Sequence, residues 1–566
     1  MKNAFRKLLL LSMLPTLVVA HGAERIDPAV AQEASAAGMK TVAVLSLASY
    51  DELLKNIDFI GELAGQPGSA QQAEMMINLF TQGQGLAGLD KSKPSGVVVQ
   101  TDGMSVEALA FIPVSDARPL LDVLTAFDIT SEEGENGVFT VQAGPQELFV
   151  KSQGNWTFIA RTVEALAAAP ENPQQLLAGL DKEYDVALWL NVQNLPAMFS
   201  QMAIQALQGG VAEGLRQMPG EASADYETRQ KLVQAAMSDI EDAIRDTDQV
   251  TLGWSLNTEQ KTTHLDFQLV AVEGSKLAKQ FAESAAVKTS FGGFVSSEGA
   301  FTMTLAGKMT EEDIVQAVTM LDDARRKMMD RIDQEADLPD DAARETVKAA
   351  MGDLLDALQA TIEAGTLDFG GSLQLGSQSL TLSGGARVAS SDKVETALRK
   401  LAELAETEED FPGIEWNADS HGDVQFHALQ IPAPDDEARK VFGDQLNVVL
   451  GIGPQSVYFA LGTDGLQAIK DAMDRSSSGA GKDLPPVAVE ISLSQIMRFA
   501  AAHNADPQIA LLAGIFSDLE GKDHISITAR AIKNGFQYRM EVEEGVLSAI
   551  GKAGATMSGA GAQNGF

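Results

Sequence analysis

The sequence predicts an α+β fold that is internally duplicated, with two similar halves of antiparallel or mixed sheets and packed helices, and three observations carry this. Four times an apolar strand runs into a helix, at Thr41-Val-Ala-Val-Leu-Ser-Leu47, Asp185-Val-Ala-Leu-Trp-Leu-Asn191, Ala300-Phe-Thr-Met-Thr-Leu-Ala306 and Val487-Ala-Val-Glu-Ile-Ser-Leu493. A two-stranded hairpin follows each opening. Residues 166 and 466 lie 300 apart and the openings at 186 and 487 lie 301 apart, so whole blocks repeat together.

In the first unit (41–127), Leu53, Leu54, Ile57, Ile60 and Leu63 recur at helical spacing, and Ser49 with Glu52 forms a capping box. A second helical segment surrounds Met75 to Phe80. Gly96–Gln100 and Val106–Ile112 read as a hairpin, and Asp116–Phe127 as a closing helix. The second unit (186–285) carries Leu232, Val233, Met237, Ile240 and Ile244 on an amphipathic helix, then pairs Val250–Leu256 with His264–Val270.

The third unit (300–405) repeats the order with longer helices. Ile314, Val315, Val318 and Leu321 line one, Val347 to Ile362 the next, and Pro339 separates them. Its hairpin joins Leu373–Leu375 to Leu380–Leu382, and Val394–Leu404 closes it. Leu89-Asp90 and Leu367-Asp368 precede the two corresponding hairpins. The fourth unit (487–550) pairs Ile525–Ile532 with Phe536–Val542 through Lys533-Asn534-Gly535, where Asn-Gly is a strong turn signal. A strand, strand, helix connector precedes units two and four, with Trp156–Leu166 corresponding to Val457–Leu466.

The halves are read as 41–287 and 288–550. The boundary is placed at Lys288–Gly299, where Gly292, Gly293, Ser296, Ser297 and Gly299 interrupt the apolar periodicity. Ser476–Lys482 reads as a loop, 551–566 as a disordered tail and 21–40 as a flexible N-terminal segment. Alternation in the strands predicts burial of one sheet face. The nearly continuous apolar run Val186–Leu190 predicts a central strand covered on both faces.

Lys2, Arg6 and Lys7, the apolar run Leu8–Val19 and the small-residue exit Val18-Val19-Ala20 form a secretory signal peptide over 1–20. That run is shorter than the roughly 20 residues a membrane span needs, so the mature chain is expected outside the cytoplasm, periplasmic or extracellular, without an integral membrane segment. The chain has no cysteine, which excludes a disulfide framework and a lipidated leader. Its formal charge is −37, and loss of three basic residues with the leader makes it −40. A field of this sign disfavours nucleic acid and anionic lipid.

No catalytic, cofactor or metal site is assigned, because each candidate has a simpler reading. Gly83-Gln-Gly85-Leu-Ala-Gly88 has the letters of a dinucleotide fingerprint but follows a helix instead of a strand. His421, Asp423 and His427 fall on one strand face, yet the ends of such a run lie about 20 Å apart, too far to share an ion. Ser390-Ser391-Asp392-Lys393 has a Ser-x-x-Lys spacing that helix capping explains. Asp239, Glu241, Asp242, Asp246 and Asp248 lack the calcium-loop pattern. Asn155-Trp-Thr157 matches a glycosylation acceptor but opens an apolar strand. Met75, Met76, Met328 and Met329 read as core packing. The residues before Phe566 do not alternate, which argues against an outer-membrane barrel.

The leader, the absence of cysteine and openings such as Val186-Ala-Leu-Trp-Leu-Asn-Val-Gln-Asn-Leu195 resemble exported bacterial proteins of unknown function. The resemblance implies export and supplies no catalytic residue. The expected function is a non-enzymatic scaffold that binds a ligand or partner, an apolar ligand or an envelope protein, through surfaces between its repeats. The alternatives are a secreted hydrolase whose site is assembled from distant residues and a structural component of the cell envelope.

Overall fold

The computed structural model describes residues 38–552, apart from 82, 84, 87, 125–129, 144–145, 215–216, 218–222, 335–337, 339, 408–410, 479–483, 505 and 518–520. Residues 1–20, read above as a leader, most of the 21–40 segment, Pro339 and residues 553–566 lie outside the described residues. The fold is α+β, and every strand pairing described below is antiparallel.

In chain order the first elements are β1 (Lys40–Leu47), α1 (Tyr50–Leu63), α2 (Ser69–Phe80), β2 (Ser95–Thr101), β3 (Val106–Ile112) and α3 (Arg118–Leu124). A meander follows, of β4 (Thr130–Glu133), β5 (Val138–Ala143), β6 (Gln146–Gln153) and β7 (Trp156–Ala160), then α4 (Val163–Ala167) and α5 (Leu180–Glu183). Next come β8 (Val186–Asn191), α6 (Ala197–Gly214), α7 (Ser223–Asp246), β9 (Thr247–Asn257), β10 (Thr262–Ala271) and α8 (Lys276–Ala285).

The order then recurs with β11 (Phe301–Lys308), α9 (Glu311–Gln334), α10 (Asp341–Glu363), β12 (Thr366–Leu375), β13 (Leu380–Arg387) and α11 (Ser391–Ala405). A second meander holds β14 (Ile414–His421), β15 (Val424–Pro432), α12 (Asp436–Phe442), β16 (Gln445–Gly453) and β17 (Ser456–Leu461). The chain continues through α13 (Gly465–Ser477), β18 (Val487–Ser492), α14 (Leu493–His503), α15 (Pro507–Ser517), β19 (His524–Ile532), β20 (Gly535–Glu543) and a helix over 544–552. Each connector is thus a four-stranded meander before its helix, two strands more than the sequence periodicity revealed. Ser49 caps α1, its hydroxyl accepting from the Glu52 amide at 3.3 Å, while the Glu52 carboxylate pairs with Lys55 at 2.9 Å.

Within the described residues the chain forms two compact units, one of residues 279–532 and one of residues 38–278 with 533–552. The sequence reading kept 533–550 with the second half. In the structure β20 instead counts with the first unit, because it pairs with β10 along the whole run from Thr262 to Val270. The first unit's sheet runs β4-β5-β6-β7-β3-β2-β1-β8-β9-β10-β20. The second unit's runs β14-β15-β16-β17-β13-β12-β11-β18-β19. Raising each strand number by ten turns the pairings among β1–β9 into those among β11–β19.

In the first unit, Val44, Val98, Phe111, Ala187 and Trp189 of the sheet's inner face meet Leu166 of α4, Leu176 and Leu177 of the 173–177 turn, Leu180 of α5 and Tyr184 just after it. Gly96 admits Leu177 there, since a Cβ on it would stand 2.5 Å from Leu177 Cδ2. In the second unit, Phe291 and Phe294 pack with Phe426, Tyr458, Ile469 and Ala472. The Lys288–Gly299 stretch is therefore packed at its centre, and its glycines have a steric purpose. A Cβ on Gly293 would lie 2.0 Å from the Ala472 carbonyl oxygen of α13.

Candidate functional site

The strands β1, β8, β9, β10 and β20 of the first unit set three apolar rows across the sheet face opposite the core. Successive side chains on a strand point to opposite faces, so paired residues across neighbouring strands line up on one face. Leu45, Leu188, Leu252, Phe267 and Tyr538 form the middle row. Leu47, Val186, Trp254, Leu265 and Met540 lie on one side of it, and Ala43, Leu190, Val250, Leu269 and Phe536 on the other. Leu188, Leu252, Leu265, Phe267 and Met540 are between 38% and 45% exposed. β8 is central, as expected, but its outer face is open at Leu188 while Ala187 and Trp189 are buried. Full burial of such side chains is worth about 1.5–3 kcal/mol each, so covering the exposed part of these five would contribute about 4 kcal/mol before association costs.

The inner face behind β9, β10 and β20 is polar and buried, the reverse of the usual arrangement. Asp266 is fully buried. Arg539 donates to it from Nε at 2.8 Å and from Nη2 at 2.7 Å, in the fork geometry that makes arginine–carboxylate pairs strong. Gln537 Nε2 donates at 2.6 Å and the Tyr184 hydroxyl at 3.0 Å, both to Asp266 Oδ2. Gln268 Nε2 donates to the Tyr184 oxygen at 2.9 Å. Tyr184 lies over Gly253 of β9, where any Cβ would stand 2.4 Å from its ring.

Burial, followed by the charge of Asp266, holds the Tyr184 hydroxyl far above the ordinary phenol value, so it remains a donor. Burial raises the Glu183 carboxyl. Burial, then the Arg539 charge, lowers the His264 imidazole. Both Asp266 oxygens are engaged, which makes this network a structural clamp. Shifting the register by one residue would send Asp266 and Arg539 outward and Phe267 and Tyr538 inward. The clamp opposes that slip and so keeps the apolar rows on the open face.

The residues singled out in the sequence are dispersed. His421 ends β14 and Val424 begins β15, with Gly422 at φ 55° in the turn between them. His421, Asp423 and His427 therefore do not share one strand face, because the chain reverses at Gly422. His421 Nε2 lies 2.8 Å from Asp474 Oδ1. His427 is buried and accepts the Asn417 amide on Nδ1 at 3.0 Å. The fingerprint-like loop follows α2 and leads to β2, and two of its amides are already engaged, Gly83 by the Asn78 carbonyl and Gly85 by the Thr81 hydroxyl.

Ser390 is the N-cap of α11 without a side-chain capping bond, Ser391 donates to the Pro454 carbonyl, and Lys393 pairs with Asp356 at 2.8 Å. Lys393 is thus committed to Asp356, and Ser391 to the Pro454 carbonyl. Asp242 pairs with Arg245, and Asp246 accepts the Leu277 amide. Among the described residues no group of three or more His, Cys, Asp or Glu side chains is placed to hold a metal ion. Thr157 of the glycosylation-like triplet is buried and donates to the Val114 carbonyl at 2.8 Å. Met75, Met76 and Met328 are exposed, contrary to the core packing expected of them.

The Asp266 clamp and the open apolar face were not identified from sequence. The only signal was the alternation His264-Leu265-Asp266-Phe267-Gln268-Leu269, which marks two faces without saying which is covered. No helix among the described residues is long and apolar enough to cross a membrane. No protein-family model matches the chain. No curated protein is significantly similar to it. One solved structure, crystal form IV of TP0453, aligns over 46% of this chain and 87% of its own at 11% identity and a TM-score of 0.22, a likeness too slight to carry an argument.

Proposed function

We propose that this chain is an exported, internally duplicated scaffold that binds an apolar ligand on the open face of β1-β8-β9-β10-β20, without catalysis. The observation that supports the reading is the cluster of Leu188, Leu252, Leu265, Phe267 and Met540, standing 38–45% exposed on neighbouring strands in front of a saturated polar clamp. A soluble domain rarely leaves so large a contiguous apolar surface open unless something binds there. An apolar face spread over four neighbouring strands offers area and van der Waals contact with few directional polar groups, which suits an extended hydrocarbon better than a polar metabolite. Export is inferred from the leader at 1–20 with cleavage near Ala20. The formal charge of −37 keeps nucleic acid off the surface.

Native mass spectrometry of the chain from residue 21, purified from its own host without detergent, tests the reading. A retained apolar molecule that is lost in Leu252→Glu supports it. A bare protein that also fails to enhance the fluorescence of an apolar dye refutes it.

A further inference from the structure

Two helices of the first unit are nearly without charge in a protein where 21% of residues are charged. α2 contains Glu74 alone, and that residue is paired with Lys91 at 2.9 Å. α6 spans Ala197–Gly214 and contains Glu213 alone. Their neighbours α1 and α7 are strongly charged, with Asp51, Glu52, Lys55, Asp58 and Glu62 on the first. Charge has thus been excluded from one helix of each pair.

The same two helices present apolar side chains outward in the same pattern. Met75, Met76 and Leu79 on α2, and Met198, Phe199 and Met202 on α6, occupy positions i, i+1 and i+4, which fall within about 100° of arc. All six are between 42% and 77% exposed. The polar residues around them are uncharged, Gln71, Gln72 and Asn78 on α2 and Gln201 and Gln205 on α6. Neither helix carries a lysine or arginine that would seek an anionic lipid or an acidic partner.

We propose that α2 and α6 dock this protein on the surface of an electrically neutral lipid bilayer, inserting Met75, Met76, Leu79, Met198, Phe199 and Met202 among the head groups. Interfacial helices without basic residues bind through buried apolar area alone, and they tolerate zwitterionic surfaces that a chain of charge −37 can approach without repulsion. An anionic surface would repel the rest of the molecule. The flexible thioethers of four methionines suit a fluid, irregular boundary. This inference rests on the helices and not on the open sheet face, so it stands or falls separately from the ligand reading.

The test is flotation of the chain from residue 21 with phosphatidylcholine vesicles, and in parallel with vesicles containing phosphatidylglycerol. The leader is omitted because Leu8–Val19 would itself insert. Flotation with the neutral vesicles is expected, weakened when anionic lipid is added at low salt. The triple variants Met75→Gln/Met76→Gln/Leu79→Gln and Met198→Gln/Phe199→Gln/Met202→Gln should each lower the vesicle-bound fraction roughly tenfold or more while leaving circular dichroism unchanged. Leu252→Glu, on the sheet face, should float as the parent does. Failure of the parent to float, binding only to anionic vesicles, or full binding by both triple variants would each overturn the proposal. So would self-association in the absence of lipid that both triple variants abolish, since the faces would then belong to a protein interface.

Discussion

Replacing Asp266 by alanine should destabilise the first unit by about 3–5 kcal/mol, the cost typical of breaking a buried ion pair from one side. Asp266 is fully buried and receives four hydrogen bonds, two from Arg539 and one each from Gln537 and Tyr184. Hydrogen bonds to a charged group are worth about 1.5–3 kcal/mol each, but they share one carboxylate and do not add. The Arg539 side chain is 34% exposed, so water recovers part of its solvation and keeps the total near the lower end. Asp266→Asn retains the shape but cannot pair with the guanidinium, and should cost about 2–3 kcal/mol. Urea unfolding followed by tryptophan fluorescence measures both, with Trp189 and Trp254 in the affected unit. The double variant Asp266→Leu/Arg539→Met should recover part of the loss, because an apolar pair leaves no unpaired charge. A loss below about 1 kcal/mol in both Asp266→Ala and Asp266→Asn would refute the clamp.

On the open face, Leu252→Glu or Phe267→Glu should change stability by less than about 1 kcal/mol, as both sites are substantially exposed, yet weaken binding of an apolar fluorescent probe at least about tenfold; equal probe affinity in parent and variants would exclude that face as the binding surface. Burial lowers the imidazole pKa of His427 in the folded state, so between its ordinary value of about 6.5 and the folded value the unfolded chain holds more protons. Its contribution is therefore present above about pH 6.5 and is lost on acidification toward the folded pKa, and His427→Gln should flatten the fall in unfolding free energy between pH 7.5 and 5.5 measured in urea. The buried carboxyls of Asp185 and Asp368 are raised by desolvation and work in the opposite sense, which is why the difference between parent and variant is the informative quantity. Gly293→Ala should cost about 3 kcal/mol in thermal or urea unfolding, because its Cβ would meet the Ala472 carbonyl and the Ser476 amide of α13, backbone atoms that cannot rotate away. An unchanged midpoint would mean that the 3-10 turn at 292–294 is not held against α13.

Much of the fold was legible because its determinants are local. The Ser49 cap, the periodicity of Leu53 to Leu63, the hairpins Ser95–Thr101 with Val106–Ile112 and Thr247–Asn257 with Thr262–Ala271, and the Asn534-Gly535 turn all depend on residues a few positions apart. The extra strand β4 carries no apolar signal, since Thr130-Ser-Glu-Glu133 is polar throughout. At His421-Gly-Asp-Val-Gln-Phe-His427 the period of two ran unbroken across a reversal that a single glycine at positive φ produces.

The sequence by itself determined that this chain is α+β, that its strand-to-helix openings recur, and that β10 has one polar and one apolar face, since each follows from spacing along the chain. Only the tertiary structure decided which of those faces is buried. Asp266 can be taken from water because Tyr184, Gln537 and Arg539, the last two more than 270 residues away in the chain, converge on its oxygens. Once those partners satisfy the polar face, Leu252, Leu265 and Phe267 are left toward the outside, a consequence of long-range hydrogen bonding that no local pattern encodes.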